Sequence, residues 1–271
     1  MTKGIKVYFI GTAGSGKSSL CGAFKTWLNT KGFDCYSVNL DPGAEALSYE
    51  ADLDIREWIT LYDVMEEYGL GPNGAQIVCA DLLAVNIPKI KKRLDPVITN
   101  YFLMDTPGQM ELFTFRSSSK EIINAFGPDS FIVNIIDSLN ATTPYGLTSQ
   151  LMLSAITQFR FGLPALNVLG KSDLLAKDDL QRIMSWAENT GALYDAALEE
   201  SHDQKNPHFE LGLGFLRVLE DNETFGRLVP VSSKTGEGVE DIYNTIQLIF
   251  EGGEDLDQAA PRDEENKDNE E

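Results

Sequence analysis

A glycine-rich segment near the start of the sequence has the residue types and spacing of a phosphate-binding loop. It reads Gly11-Thr12-Ala13-Gly14-Ser15-Gly16-Lys17-Ser18, followed by Ser19. An apolar run at residues 7–10 precedes it, and apolar residues at helical spacing follow from Leu20, so the strand, loop and helix context of a P-loop is present. Backbone N–H groups at a helix N-terminus bind phosphate in that context. We therefore expect phosphate binding rather than a glycine-rich turn without a ligand.

Polar groups in and near this loop have the chemistry of a magnesium and triphosphate site. Lys17 supplies a positive charge to the β- and γ-phosphates, and the Ser18 hydroxyl can ligate Mg²⁺. Asp105 follows an apolar run at residues 101–104 and can reach the metal shell opposite Ser18. Gly108 lets a backbone N–H approach the γ-phosphate. A strand-terminal aspartate alone is equally often a helix N-cap, but beside a P-loop the metal assignment is favoured.

A later run indicates which base the site accepts. Gly170-Lys171-Ser172-Asp173 matches the last three positions of the guanine-reading N-K-x-D pattern. The two oxygens of Asp173 can accept from the guanine N1–H and 2-amino groups, whereas adenine offers an acceptor at N1 and no 2-amino group. Lys171 can lay its alkyl stem across the base. The alternative is an exposed aspartate that caps the helix expected from residue 178.

Two features qualify this base assignment. Gly170 stands where the pattern has asparagine, whose amide ties the loop to the P-loop, so base affinity could be weaker than usual. The run Ser232-Ser233-Lys234 resembles the loop that offers a backbone N–H to guanine O6. Because these motifs occur in the order that a GTP site requires, the sequence favours GTP over ATP.

The elements that must position these residues form an alternating pattern. Short, nearly continuous apolar runs occupy residues 7–10, 35–40, 101–104, 131–136, 165–169 and 228–231. Such runs predict a sheet covered on both faces. We therefore expect an α/β, three-layer P-loop NTPase fold with a mostly parallel central sheet and helical insertions. All the motifs follow strands, so they meet at the carboxyl edge of the sheet.

The chain is expected to form one P-loop GTPase domain at residues 1–250. A helical insertion at residues 43–98 has two predicted pieces, one with a capping box at residues 54–57 and one at residues 85–94, separated by a rigid turn at residues 69–75. A second insertion spans about residues 190–226. Residues 251–271 form an acidic tail that is expected to be disordered because it lacks apolar side chains.

The overall charge excludes some partner classes. The chain has 42 acidic and 22 basic residues and a net charge of −20, so it repels nucleic acid and anionic membranes, and we expect no direct contact with either. Cys21, Cys35 and Cys79 show no paired spacing, which argues against zinc or disulfides. Neither a signal peptide nor an apolar run of about 20 residues is present, so we expect a cytoplasmic protein.

Three further runs carry a family resemblance. They are Gly71-Pro72-Asn73, Asn39-Leu40-Asp41-Pro42 and Pro107-Gly108-Gln109-Met110-Glu111. With the P-loop they make residues from about 4 to 250 resemble a GPN-loop GTPase, of the dimeric branch related to the signal-recognition and MinD types. The resemblance implies a homodimer, or a heterodimer with a paralogue, in which Asn73 reaches the partner's phosphates. Without it, residues 71–74 would be read as an ordinary turn.

Several side chains are candidates for the chemistry of hydrolysis. Asp41 follows the second strand, where it can orient the attacking water or join the Mg²⁺ shell, and we rank it above Gln109 and Glu111. Glu111 is alternatively a first-turn helix acid stabilised by the macrodipole. Arg116 is a weak candidate for an arginine finger, and a surface position or an ion pair is favoured for it.

The leading hypothesis is a GTPase switch. Hydrolysis of GTP to GDP and phosphate in a dimer would rearrange residues 43–98. By resemblance, the client protein would be RNA polymerase or one of its assembly factors, and the role would be assembly of a multisubunit complex. Two alternatives stay open: a nucleotide-dependent binding module or assembly chaperone with incidental hydrolysis, and a small-molecule kinase that uses the same P-loop.

Overall fold

The computed structural model, which describes residues 3–203, 214–215 and 227–252, has strands that are apolar on both faces. In the first strand, Tyr8 and Ile10 join the apolar cluster on one side of the sheet, while Val7 and Phe9 join the cluster on the other. Successive side chains of a strand point to opposite faces, so a continuous apolar run is buried only when helices cover both sides. The strands thus lie between two helical layers.

Seven strands form one sheet within the described residues. They are β1 (Lys3–Gly11), β2 (Cys35–Asn39), β3 (Leu53–Asp54), β4 (Ile98–Asp105), β5 (Ser130–Asp137), β6 (Ala165–Gly170) and β7 (Leu228–Pro230). Their order is β3-β2-β4-β1-β5-β6-β7, and each neighbouring pair is parallel. The expected three-layer α/β fold is confirmed. Because the strands are parallel, the segments that follow them meet at one edge.

The helices divide between the two faces. In chain order they are α1 (Lys17–Thr30), α2 (Leu61–Tyr68), α3 (Pro72–Leu94), α4 (Met110–Thr114), α5 (Ser117–Phe126), α6 (Pro144–Phe161), α7 (Lys177–Glu188), α8 (Thr190–Asp203) and α9 (Val239–Phe250). Helices α1 and α9 pack on the face that buries Val7, and α3 and α5 pack on the face that buries Tyr8. Helices α6, α7 and α8 enclose a third apolar cluster beside β5 and β6.

The predicted capping box at residues 54–57 is only partly right. Asp54 does cap a backbone N–H, that of Arg56, but it ends the short strand β3 and begins a single 3-10 turn at Ile55–Glu57. The helix starts later, at α2, where the Thr60 hydroxyl accepts from the Asp63 amide at 3.1 Å and donates to its carboxylate at 2.6 Å. The N-cap of the helix is therefore Thr60, whose hydroxyl bonds to both the amide and the carboxylate of Asp63.

The interpretation of residues 69–75 as a turn is wrong for most of its length. Gly69 ends α2 in the left-handed conformation at φ 62°, where a glycine is favoured. Gly71 then caps α3, and Pro72 is its first residue. Proline fits a first helical position because the N–H it lacks would have no partner there. Consequently α3 begins at residue 72 instead of 85 and runs for 23 residues.

Two predicted regions lie partly outside the described residues. Helix α8 accounts for residues 190–203 of the second insertion, while residues 204–213 and 216–226 are not described. The acidic tail is not described from residue 253 onward. Among the helices that the structure does describe, none combines the length and the apolar composition needed to cross a membrane.

Candidate functional site

The P-loop connects β1 to α1 with two glycines in left-handed conformations. Gly14 has φ 75° and Gly16, the N-cap of α1, has φ 99°. Glycine adopts these angles at little cost because it has no Cβ. Ser15 is buried within the loop, whereas Ser19 is exposed on the first turn of α1. The local sequence therefore sets up the loop-to-helix junction at which phosphate binds.

The Lys17 side chain joins the P-loop to the loop after β4. Its Nζ donates to the carbonyl oxygens of Gly11 and Thr12, each at 2.9 Å, and to that of Gly108 at 2.7 Å. Burial lowers the pKa of Lys17, and the carboxylates of Asp105 and Asp41 act to raise it. The positive charge thus lies between the two loops expected to contact the β- and γ-phosphates.

Asp105 ends β4 and is fully buried. Its Oδ2 accepts from the Tyr49 hydroxyl at 3.1 Å, and its Oδ1 has no hydrogen-bond partner among the described residues. Burial raises the pKa of Asp105 to about 6, and the Ser18 and Tyr49 hydroxyls partly offset that rise. A buried carboxylate oxygen without a donor is suited to a cation.

The residues here fit a magnesium ion. Asp105 and the Ser18 hydroxyl lie together, and the unpartnered Oδ1 gives the ion an oxygen ligand. Mg²⁺ is usually bound through one or two carboxylates plus substrate phosphates rather than by an all-protein cage. The described part of the chain contains no group of three or more His, Cys, Asp or Glu side chains arranged for a metal.

Asp41 connects the loop after β2 with the loop after β4. Its Oδ2 accepts from the Gly108 amide and its Oδ1 from the Gly43 amide, both at 2.8 Å. Burial raises the pKa of Asp41, while these amides lower it. The Gly108 N–H expected to approach the γ-phosphate therefore donates to Asp41 in this structure. Phosphate and Asp41 would compete for the same donor.

The other water-positioning candidates lie around this contact. Gln109 lines a cavity of about 180 Å³ together with Asp41, Gly108 and Ala13. Glu111 is exposed in the first turn of α4 and lines an open groove with Gln109 and Thr12. The first-turn position agrees equally with the helix-dipole alternative for Glu111. The structure thus brings Asp41 and Gln109 to one cavity and places Glu111 in a neighbouring groove that Gln109 also lines.

The base-reading residues converge from two loops. The Asp173 carboxylate accepts from the Ser232 hydroxyl at 2.7 Å, and that hydroxyl accepts from the Lys234 amide at 3.2 Å. Ser233 and Lys171 line a small pocket against the P-loop. Asp173 remains exposed, so its oxygens are accessible to a base. The residues predicted to read guanine therefore lie in a single cluster.

The packing around Gly170 explains why this loop has glycine in place of the asparagine of the guanine-reading pattern. A Cβ there would lie 2.8 Å from Cγ2 of Ile135 and 3.1 Å from the carbonyl oxygen of Ser15. An asparagine would not fit without movement of β5 or the P-loop. The base loop thus meets the P-loop by direct backbone approach in place of a side-chain amide.

The GPN tripeptide lies apart from these contacts. Gly71, Pro72 and Asn73 are all exposed at the N-terminus of α3. Arg116 pairs with Asp81 of α3 at 3.0 Å, which supports an ion pair over an arginine finger. The fold therefore brings together, within one chain, the residues predicted to bind phosphate, metal and base, but it leaves Asn73 on the surface.

Known proteins resemble this chain over most of its length. The profile of a family described as conserved hypothetical ATP binding protein matches residues 9–252. GPN-loop GTPase 3 of Saccharomyces cerevisiae is 31% identical over 265 residues, covering 96% of this chain and 97% of the relative. The chain belongs to the GPN-loop GTPase family.

Two further relatives are a GPN-loop GTPase and a GTPase of known structure. A GPN-loop GTPase of Arabidopsis thaliana is 39% identical over 171 residues, covering 61% of this chain and 57% of the relative. The crystal structure of a GTPase in apo form from Pyrococcus abyssi superposes with a TM-score of 0.76 at 30% identity, covering 89% of this chain and 96% of that one. The profile's description names ATP, but the relatives are named as GTPases, and the acceptor pair of Asp173 suits guanine.

Three polar residues of this GPN-loop chain were missed by the sequence analysis. Tyr49 holds Asp105, as described above. Asp137, at the end of β5, forms an ion pair with Lys171 at 3.1 Å. Gln76 of α3 lines the cavity beside Asp41, and its Oε1 is buried without a partner among the described residues. Asp137 ends an apolar run and could have been singled out, whereas Tyr49 and Gln76 lie in no motif.

Proposed function

We propose that this chain is a Mg²⁺-dependent GTPase that hydrolyses GTP to GDP and phosphate as a dimeric molecular switch. Membership of the GPN-loop GTPase family makes it a GTP-hydrolysing enzyme. The contact between Asp41 and the Gly108 amide at 2.8 Å carries the switch proposal. A γ-phosphate that takes this N–H would repel the Asp41 carboxylate and so move the loop after β2.

The chain's own groups can perform hydrolysis by positioning and charge stabilisation. The P-loop amides and Lys17 would hold the phosphates, and Asp173 and Lys171 the base. Asp105 and Ser18, with Asp41, would hold Mg²⁺, which when bound neutralises charge on the phosphate oxygens. Asp41, displaced from Gly108, or Gln109 would then orient the attacking water.

The surface of α3 supports a second subunit. Asn73, Ile77, Asp81 and Val85 are spaced four residues apart and are all exposed. Ile77 and Val85 are 43% and 71% exposed, so the outward face of this helix carries two apolar side chains that a partner could bury. A second subunit that packs against these four residues would have its bound phosphates near Asn73 of the first subunit. There the Asn73 amide can donate to phosphate and accept from water.

Single-turnover hydrolysis tests the catalytic assignment. Asp41→Ala and Asn73→Ala should each slow GTP cleavage by about 100-fold, because each removes a polar group from the reacting centre. Asp34→Ala is a matched control, since Asp34 precedes β2 at the opposite edge of the sheet. Asn29→Ala on exposed helix surface serves the same purpose for Asn73.

Each other outcome identifies an alternative. Rates for Asp41→Ala and Asn73→Ala equal to that of the wild type would favour a binding module in which hydrolysis is incidental. A phosphorylated acceptor in place of inorganic phosphate would favour the kinase. The client in complex assembly, RNA polymerase or one of its assembly factors, and the cytoplasmic location remain predictions from the sequence.

A further inference from the structure

The segment that follows Asp41 is bound along α1 through consecutive residues. The Ser48 hydroxyl donates to the carbonyl oxygen of Ser18 at 3.0 Å. One residue after Tyr49, the carbonyl oxygen of Glu50 accepts from Lys25 Nζ at 2.7 Å. Both neighbours of Tyr49 are therefore fixed to the helix that begins at the P-loop.

The end of this segment is fixed to β2 as well. Asp52 Oδ2 accepts from the Ser37 amide at 2.8 Å, from the Ser37 hydroxyl at 2.7 Å and from Lys25 Nζ at 2.7 Å. A carboxylate oxygen with three donors holds its backbone firmly, since charge-assisted hydrogen bonds are the stronger class. In this structure the backbone is thus fixed on both sides of Tyr49, which supports its ring.

The Tyr49 ring lies directly against α1 at a glycine. A Cβ built on Gly22 would be 3.1 Å from Cβ and 3.4 Å from Cδ1 of Tyr49. Any larger residue at position 22 would push the ring away from the helix. The close approach brings the hydroxyl to Asp105 Oδ2 at 3.1 Å, inside hydrogen-bonding distance.

Asp105 offers one oxygen to Tyr49 and keeps the other without a donor. The residue is fully buried, so water cannot reorient its carboxylate freely. A donor at Oδ2 fixes the carboxylate and leaves Oδ1, which has no partner among the described residues, for a cation or for a water bound to one. Residues that hydrogen-bond to a ligating carboxylate orient it and tune its affinity for the metal.

We propose that Tyr49 is a positioning residue that orients Asp105 for the divalent cation. The inference rests on the proposed Mg²⁺-dependent function. It assigns to the segment at residues 48–52 a second task besides any rearrangement: it holds the metal-binding carboxylate of the neighbouring strand from outside the metal shell.

The test is the Mg²⁺ dependence of nucleotide binding. Binding of a fluorescent GDP analogue to the full chain is titrated with Mg²⁺, and again in EDTA. Tyr49→Phe should raise the half-saturating Mg²⁺ concentration about 10-fold. This is the lower end of the loss in metal affinity that follows removal of a hydrogen bond to a metal ligand. Binding in EDTA should change less than about 2-fold, because without the metal Asp105 contributes little to affinity.

Tyr36→Phe is the matched control. Tyr36 donates its hydroxyl to the backbone oxygen of Asp52 at 3.1 Å, so it supports the same segment without contacting Asp105. Its half-saturating Mg²⁺ concentration should equal that of the wild type. Equal shifts in both variants would overturn the proposal, since they would report only general loosening of the segment.

Gly22→Ala provides a second variant that keeps the hydroxyl. The added Cβ displaces the ring by a few tenths of an ångström, so a smaller shift in the same direction is expected. The proposal would be overturned if neither Tyr49→Phe nor Gly22→Ala shifted the half-saturating Mg²⁺ concentration. A lower half-saturating concentration in either variant would also overturn it. A wild-type protein whose nucleotide binding ignores Mg²⁺ would instead contradict the proposed function itself.

Discussion

At the scale of single residues, the buried carboxylate of Asp105 lowers the stability of the nucleotide-free protein. It is fully buried, and one of its oxygens has no donor among the described residues. Desolvation raises its pKa to about 6, from an ordinary value of 3.8. The ionised form therefore destabilises the nucleotide-free protein, a cost of the kind that active sites retain because the ligand needs the charge.

Asp105→Asn should stabilise the nucleotide-free protein at pH 7.5 by about 2–3 kcal/mol, as expected for removal of a buried charge. Because the folded-state pKa is the higher one, the wild type is relatively more stable below about pH 4 and loses that stability as pH rises through about 6. Urea unfolding should thus show an advantage of the variant that is larger at pH 7.5 than at pH 5 by about 1.5 kcal/mol.

The exposed carboxylate of Asp34 supplies the control for this experiment. Asp34→Asn removes a carboxylate that is already in water, so it should not reproduce the stabilisation expected for Asp105→Asn. If the difference between Asp105→Asn and the wild type is the same at both pH values, ionisation of Asp105 is not its cause.

Base preference is a second property of one side chain. Asp173→Asn replaces one acceptor oxygen with a donor NH₂ group, so affinity for GTP should fall about 10-fold or more and affinity for xanthosine triphosphate should rise. Competition of the two nucleotides for the site measures the exchange. Asp178→Asn, on the first turn of α7, is the control. An unchanged preference would remove Asp173 from the base site.

At the scale of elements, the base loop and the P-loop are positioned by their close approach. Gly170 ends β6 and lies against the backbone of Ser15. The neighbouring Lys171 has φ 57° and reaches Asp137 of β5 with its ammonium. The geometry of the base site therefore depends on how three adjacent segments pack, beyond the motif itself.

Gly170→Ala should disturb this packing. Its Cβ would stand 2.8 Å from Ile135 Cγ2, so the loop must shift, and we expect a stability loss of about 1–3 kcal/mol with weaker GTP binding. Gly74→Ala is the opposite control: its Cβ makes an ordinary 3.5 Å contact in the first turn of α3, and stability should rise by about 0.5–1 kcal/mol. Thermal unfolding and nucleotide titration check both. Normal GTP affinity in Gly170→Ala would contradict the packing argument.

Helix α3 shows where local patterns misled. The run Gly69 to Ala75 is rich in glycine and proline, which predicts a turn, yet Pro72 begins a helix of 23 residues. Glycine and proline mark helix boundaries as well as loops, and the pattern does not say on which side the helix lies. The rest of α3 was missed because burial against β-strands and α5 outweighs its modest intrinsic preference.

At the scale of the whole molecule, the question is whether a site is complete within one chain. Lys17, Asp41, Asp105 and Asp173 are all assembled by the fold, whereas Asn73 is exposed at the start of α3. An exposed polar residue can take part in catalysis in two ways. Its own segment moves toward the substrate, or a second subunit brings a substrate to it. We propose the second subunit, consistent with the apolar residues exposed along α3.

Mixing two inactive variants tests this arrangement. Lys17→Ala and Asn73→Ala, combined in equal amounts and allowed to exchange subunits, should recover about a quarter of wild-type GTPase activity, because half the dimers are mixed and each has one intact site. The unmixed variants are the controls. Mixed dimers that form but remain inactive would argue that Asn73 does not act across the interface.

The sequence by itself determined the parallel sheet and the family, and it predicted the phosphate, metal and base residues, because strand-ending motifs depend on local geometry and on one shared edge. The tertiary structure alone decided that Tyr49 lies on Asp105, that Asp41 binds the Gly108 amide, and that Gly170 has no room for a side chain. These contacts join segments far apart in the chain. Their distances depend on how helices and loops pack on the sheet, and no spacing in the sequence records that packing.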